Sequence, residues 1–297
     1  MAGRSTSAFA GVLTALRPRQ WVKNLLVVVA PLVALGGGVR HDYAEIAFRV
    51  SIAFVVFCLA ASAIYLVNDA RDIGEDRVHP VKRHRPIAAG TVSVPFAYFL
   101  AAVLAVAAIV IALATAPALA VVMAAYLGTQ LAYCFGLKHH AVLDICIVSS
   151  AYLLRAIAGA AATDIRLSKW FLLVMAFASL FMVAGKRYAE LQLTQRTGAI
   201  VRRSLNGYTD SYLRFVWTLS AIVVVVCYAL WAFERDDGTG AWFVVSMIPF
   251  TVAILRYAID IDSGLAGAPE DIALRDRVLQ VLGLVWLATV GAAILHS

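Results

Sequence analysis

The chain has 297 residues, 62% of them hydrophobic and only 14% charged, with a mean hydropathy of +0.84. A soluble domain carries about 25% charged residues, so a water-soluble globular fold is excluded and an integral membrane protein is expected. The formal charge of +7 and the pI of 9.4 are then read as membrane topology, and no nucleic-acid partner is expected.

The first twenty residues are Ala- and Ser-rich with Arg4, Arg17 and Arg19. They read as the cytoplasmic N-terminal segment, 1–20, of a single membrane domain covering 1–297. The apolar run at 21–38 exceeds the roughly 7–15 residues of a signal-peptide core, so it is expected as a first span and not as a cleaved leader. Further apolar runs lie near 48–67, 94–114, 118–137, 142–162, 169–185, 213–233, 241–258 and 278–296. Each approaches the ~20 residues that cross the hydrocarbon layer as a helix. The fold class expected is an all-α bundle of nine transmembrane helices around a central cavity, with polar loops on the cytoplasmic side. The short Thr115-Ala116-Pro117 turn predicts that the third and fourth helices form an antiparallel hairpin. Runs such as 101–114 do not alternate apolar with polar residues, which argues against a β-barrel. Cys58, Cys134, Cys146 and Cys227 fall singly in apolar runs and read as small core residues.

Basic residues in the connecting segments fall mainly on one side, at Arg17, Lys23, Arg71, Lys82, Arg85, Lys138, Lys186 and Arg187 among others. Only Arg40, Arg49, Arg166, Lys169 and Arg235 fall on the other. This asymmetry places the N-terminus, the 68–90 loop and the 186–214 loop in the cytoplasm.

The candidate chemistry follows in chain order. Arg17-Pro18-Arg19-Gln20-Trp21-Val22-Lys23-Asn24 enters the first span; Lys23 and Asn24 sit where polar groups face a cavity, although a topological anchor with an interfacial Trp gives the same pattern. Asn68, Asp72 and Asp76 recur every fourth residue and would stack along one helical face. Such oxygen side chains suit Mg²⁺, which binds through one or two carboxylates plus substrate phosphates. Lys82, Arg83 and Arg85 just downstream could hold the rest of a diphosphate. A solvated, salt-bridged loop would have the same composition. Tyr133 to Lys138, then Asp144, flank the turn between the fourth and fifth spans. Arg155 lies deep in the fifth span, where an ionisable group costs at least ~2.5–3.5 kcal/mol and marks function by default. Asp144 lies three helical turns before it on the same face. The sixth span ends in Lys186-Arg187-Tyr188-Ala189-Glu190, where Lys186 and Glu190 have the spacing of a helix-stabilising pair. The stretch 191–212 reads as a cytoplasmic helix or lid, and 259–277 as a surface loop.

The row Asn68-Asp69-x-x-Asp72-x-x-x-Asp76, followed by Lys82-Arg83-x-Arg85-Pro86-Ile87, resembles the first aspartate-rich motif and adjoining loop of the UbiA-type intramembrane prenyltransferases. The resemblance spans essentially the whole chain. It implies a helical bundle with a Mg²⁺-bound diphosphate at its cytoplasmic mouth, and Asn68, Asp72 and Asp76 as the metal and diphosphate residues. Where that family carries a second aspartate-rich row, this chain has Lys186-Arg187-x-x-Glu190. With Trp21-Val22-Lys23-Asn24 and Leu154-Arg155-Ala156, this is similar to the decaprenyl-phosphate phosphoribosyltransferase branch. That branch implies phosphoribosyl diphosphate as donor, polyprenyl phosphate as acceptor, and a lipid-linked pentose for arabinan in a bacterial plasma membrane.

On this reading, with the cations chosen because the donor's second phosphate and the acceptor phosphate need positive partners, Asp72, Asp76 and Arg155 would be catalytic. Arg17, Lys23, Asn24, Asn68, Lys82, Arg85, Tyr133, Lys138, Lys186, Arg187 and Glu190 would bind substrates. Two other readings compete. A prenyltransferase to an aromatic or other small acceptor would want two acidic rows. A transporter would want inverted repeats, and none is evident. A homo-oligomer is compatible with the sequence.

Overall fold

A computed structural model describes residues 8–34, 42–197, 205, 207–234, 240–264, 266–267, 272 and 275–295. All regular structure among them is helical. The α-helices are α1 (Ala8–Ala15), α2 (Val29–Ala34), α3 (Tyr43–Arg71), α4 (Ile73–Val78), α5 (Val94–Thr115), α6 (Pro117–Cys134), α7 (Leu143–Thr163), α8 (Lys169–Thr197), α9 (Asp210–Phe233), α10 (Gly240–Asp262) and α11 (Arg277–Leu295). Seven helices among the described residues, α3 and α5 to α10, are long and apolar enough to cross a membrane, and α11 is a shorter apolar helix. The chain is therefore a multi-pass membrane protein.

The expected first span takes a different form. Pro18–Val28 is a 3₁₀ helix that leads into the short α2, and residues 35–41 lie outside the described part. With three residues per turn, Asn24, Val27 and Ala30 share one buried face, while Val22, Leu25 and Val28 share an exposed one. Trp21 joins the inner face through its indole N–H, which donates to Ser62 Oγ at 3.1 Å. Period three in burial is what a 3₁₀ register imposes, and a hydropathy average cannot show it.

Two other expected spans stop short of their helices. Helix α3 overruns 48–67 at both ends, starting on an Asp42 cap whose carboxylate accepts from the N–H groups of Ala44 and Glu45. Helix α8 runs twelve residues past 185, because a polar sequence ends an apolar run without ending backbone hydrogen bonding. Conversely, α5 stops where expected. Ala116 precedes Pro117, which drives it out of the helical region to φ −161°, ψ 132°, and Pro117 then opens α6.

Two compact units divide the chain: 1–32, 41–137 and 154–166 form one, and 33–40, 138–153 and 167–297 the other. In the first unit α5 packs on α3 and α6, α3 on α6, and the 3₁₀ segment on α3. The inner face of α5 is Ala97, Ala101, Ala108 and Ala112, and its outer face bears Phe99, Val106 and Val110. Small residues let helix backbones approach closely where lipid offers no hydrophobic drive. In the second unit α8 packs on α9 and α10, α9 on α10, and α10 on α11. Its core includes Ile145, Phe181, Tyr188, Leu213 and Ile261. The Tyr228 ring stacks on Phe250 at 4.1 Å, and its hydroxyl accepts from Trp286 Nε1 at 2.8 Å.

Candidate functional site

In the first unit, α3 ends at the expected motif. Asp72 leaves the helix at φ −90°, ψ 9°, and α4 starts at Ile73. The hydrogen bonds Asp72 N to Asn68 O (2.9 Å) and Asp76 N to Asp72 O (2.8 Å) carry the helical spacing across this break. Asn68, Asp72 and Asp76 thus stay one turn apart. Asn68 Nδ2 donates to Asp72 Oδ2 at 3.1 Å, and Cys134 Sγ lies 3.7 Å from Asn68 Oδ1.

An alternating chain of charge runs beside this row. Arg17 Nη2 contacts both carboxylate oxygens of Asp69, at 2.5 and 2.7 Å. Arg85 Nη1 donates to Asp69 Oδ1 at 3.1 Å and to Asp76 Oδ2 at 2.7 Å. The order is Arg17, Asp69, Arg85, Asp76. Arg17 adopts a left-handed backbone, φ 54°, ψ 58°, a conformation costing about 1–2 kcal/mol outside glycine. The Asp69 bonds and the Tyr65 ring, 4.8 Å from the guanidinium, hold it there. Lys82 is half-buried in the short Lys82–His84 turn that follows α4.

Deeper in the same unit, Arg155 is buried. Its Nε donates to Asn24 Oδ1 at 2.8 Å, and its Nη2 reaches Tyr126 Oη at 3.4 Å. Its guanidinium lies 5.5 Å from the Phe57 ring and 5.3 Å from the Tyr126 ring, within cation–π range. Asn24 Nδ2 in turn donates to Cys58 Sγ at 3.3 Å. The 3₁₀ segment that places Asn24 passes against Gly159, where an added Cβ would stand 1.8 Å from Val27 O. Lys23 is half-buried on the same segment, and Tyr133 is half-buried at the end of α6.

The second unit holds a separate buried network. Asp144, in the first turn of α7, is 0% exposed and Arg187 of α8 is 2% exposed. Arg187 Nε donates to Asp144 Oδ2 at 3.0 Å, and its Nη1 to Glu190 Oε2 at 2.7 Å. The Tyr208 hydroxyl donates to Asp144 Oδ1 and accepts from Val142 N at 2.7 Å. Val142 sits at φ 69°, strained for a β-branched residue. Burial, then the hydrogen bond to Asp144, pushes the Tyr208 hydroxyl pKa well up. Lys186 and Lys138 are half-buried in this unit. Glu190, spaced in the sequence as a helical partner of Lys186, accepts from Arg187, three residues before it.

Sequence reasoning left three participants without a role: Asp69, Tyr126 and Tyr208. Asp69 was visible as an acid beside Asn68. Tyr126 carries no signal, since tyrosines are ordinary in apolar runs, and Tyr208 stands in the polar stretch 191–212 with no spacing that marks it.

Asn68, Asp72 and Asp76 offer one amide and two carboxylates, hard oxygen donors of the kind Mg²⁺ takes when substrate phosphates complete its shell. Among the described residues no group of three or more His, Cys, Asp or Glu forms a protein-only metal cage. The row therefore fits a metal that arrives with a diphosphate.

The model of the UbiA prenyltransferase family matches residues 23–271. Over 96% of its length the chain is 70% identical to the decaprenyl-phosphate phosphoribosyltransferase of Mycobacterium tuberculosis, covering 94% of that protein. It is 64% identical to the enzyme of the same name from Mycolicibacterium smegmatis, over 100% of this chain and 96% of that one. The fold is shared with a UbiA homolog from Archaeoglobus fulgidus bound to DMAPP and Mg²⁺, at TM-score 0.72 and 16% identity, over 95% of this chain and 98% of that one.

Proposed function

The chain belongs to the UbiA prenyltransferase family, and we propose that it is a transferase moving 5-phosphoribose from phosphoribosyl diphosphate to a polyprenyl phosphate. The observation that carries this reading is the name shared by relatives 64–70% identical along nearly their whole length. The residues agree with it. There is one acidic row, and Lys186 and Arg187 stand where a second row would serve a prenyl diphosphate. The fuller reading adds nine spans, an active site on the cytoplasmic face of a bacterial plasma membrane, and a pentose product destined for arabinan.

In this reaction an oxygen of the acceptor phosphate attacks C1 of the ribose. The bond from C1 to the diphosphate oxygen breaks, and its electron pair leaves with the diphosphate. The acceptor phosphate is already ionised at neutral pH, so no strong general base is needed. When bound, Mg²⁺ supplies neutralisation of the leaving diphosphate, and Asn68, Asp72 and Asp76 are the residues that would hold it. Asp76, whose carboxylate now accepts from Arg85, would hold the metal in that partner's place. Arg85, Arg17 and Lys82 then meet donor oxygens, Arg with paired donors and Lys as a point charge. Arg155, fixed by Asn24, supplies a positioned cation at a buried point, and Lys23 a second. Lys186, Lys138 and Tyr133 are the remaining phosphate partners. Arg187 is neutralised by two acids, so its part is to hold its turn of α8 in place.

The test is transfer of label from phosphoribosyl diphosphate to polyprenyl phosphate by the purified protein, with Lys186→Ala as a probe. Losing one charge-assisted hydrogen bond costs roughly 1.5–3 kcal/mol. KM for donor or acceptor should therefore rise about ten- to a hundredfold. Unchanged kinetics would leave Lys186 a helix-surface residue.

A further inference from the structure

Asp69 adjoins the metal row without belonging to it. Successive helical residues are about 100° apart around the axis, so the residue next to Asn68 points away from the line through Asn68, Asp72 and Asp76. Its contacts agree: both carboxylate oxygens take Arg17, and one also takes Arg85.

Exposure is layered. The Asp69 and Asp76 side chains are 3% exposed, those of Arg17 and Arg85 25% and 26%. The acids lie beneath and the guanidinium groups reach the surface. Arg17, Asp69 and Arg85 together carry one net positive charge. If Asp76 turns to a metal, Asp69 still holds Arg85, so the pair of cations survives donor binding.

We infer that Asp69 is a positioning residue: its buried carboxylate fixes the guanidinium groups of Arg17 and Arg85 as a preformed receptor for the donor's phosphates, and it does not hold metal. The inference rests on the phosphoribosyl transfer proposed above. Arg17 also carries the turn between α1 and the 3₁₀ segment, where Ser62 Oγ donates to Leu16 O at 2.9 Å. Through Asp69 the motif at the end of α3 therefore sets the placement of the segment that bears Lys23 and Asn24.

The test compares wild type with Asp69→Asn, an isosteric change that removes the charge. KM for phosphoribosyl diphosphate should rise tenfold or more, with kcat within threefold and KM for polyprenyl phosphate unchanged. Mn²⁺ binding in the presence of inorganic pyrophosphate, read by electron paramagnetic resonance, should keep its half-saturation point. Arg17→Gln should also raise the donor KM, and combining it with Asp69→Asn should give less than the product of the two effects. An unchanged donor KM in Asp69→Asn overturns the inference, and so does a tenfold weaker Mn²⁺ half-saturation, which would make Asp69 a metal ligand. If Asp69→Asn does not fold, Arg17→Gln and Arg85→Gln decide: a raised donor KM in either upholds the receptor, and no change in both removes it. A wild type that transfers no pentose refutes the reaction instead. Pyrophosphate titration onto wild type and Asp69→Asn then decides the role of Asp69 by itself, with weaker binding to the variant expected and equal binding overturning it.

Discussion

At the residue scale, the two polar networks make different demands. The row Asn68, Asp72 and Asp76 lies along one face with half-buried Asp72, so Asp72→Ala should leave a folded protein. Turnover should nevertheless drop about a hundredfold or more, the range set by losing a preorganised electrostatic group. Near-normal turnover in detergent would return the row to a salt-bridged loop. Chelation with EDTA should abolish activity, and added Mg²⁺ should restore it. The Asp144 network is structural in the first instance. Asp144→Ala leaves Arg187 buried beside one remaining acid, and losing one member of a buried pair costs about 3–5 kcal/mol, read as a lower apparent Tm. Tyr208→Phe removes one hydroxyl and should cost about 1–3 kcal/mol. The Tyr208 pKa is raised above its ordinary value of 10.0. Its contribution is therefore complete below pH ~10 and lost as pH rises beyond that. The stability gap between wild type and Tyr208→Phe should be flat from pH 6 to 9 and shrink above 10. The spacing of Asn68, Asp72 and Asp76 was legible in the sequence, as was Arg155, a charge in an apolar run. The choice of Arg85 as partner for both Asp69 and Asp76 was not, because ion pairing is decided by tertiary placement.

At the element scale, hydropathy located α3 and α5 to α11 but misjudged both ends of α3 and the C-terminal end of α8. It reads the environment of a residue, whereas a helix end is set by backbone hydrogen bonding and caps such as Asp42; the end of α5 was legible because Pro117 marks it. The 3₁₀ segment escaped because its polar members, Lys23 and Asn24, sit inside an apolar run whose average stays high. Burial at every third residue is its signature, and Gly159 is the contact that admits it. Gly159→Ala must push the Val27 carbonyl away, moving Asn24 and with it Arg155. Overpacking of this kind costs typically about 1–3 kcal/mol. Activity should fall further than stability, since Val27 and Asn24 share one rigid segment. Activity kept at the wild-type level with unchanged Tm would show that the segment shifts without consequence.

At the scale of the whole molecule, membrane character and family were legible from composition and from the motif at 68–90. The division into two units was not, since α7 contributes 143–153 to one and 154–163 to the other, and no composition shift marks that point. The distribution of arginine and lysine predicts that Thr91 and Thr197 face the cytoplasm and Arg166 the other side. Single cysteines at these positions, in a background without the four native ones, should react with impermeant reagents from those sides respectively. Labelling of positions 91 and 166 from one side would break the topology. The central claim is the choice of donor. Purified protein given phosphoribosyl diphosphate with polyprenyl phosphate, and a prenyl diphosphate with 4-hydroxybenzoate, in one Mg²⁺-containing reaction should form only the lipid-linked phosphoribose. Prenylation of the aromatic acid without any pentose transfer would contradict it.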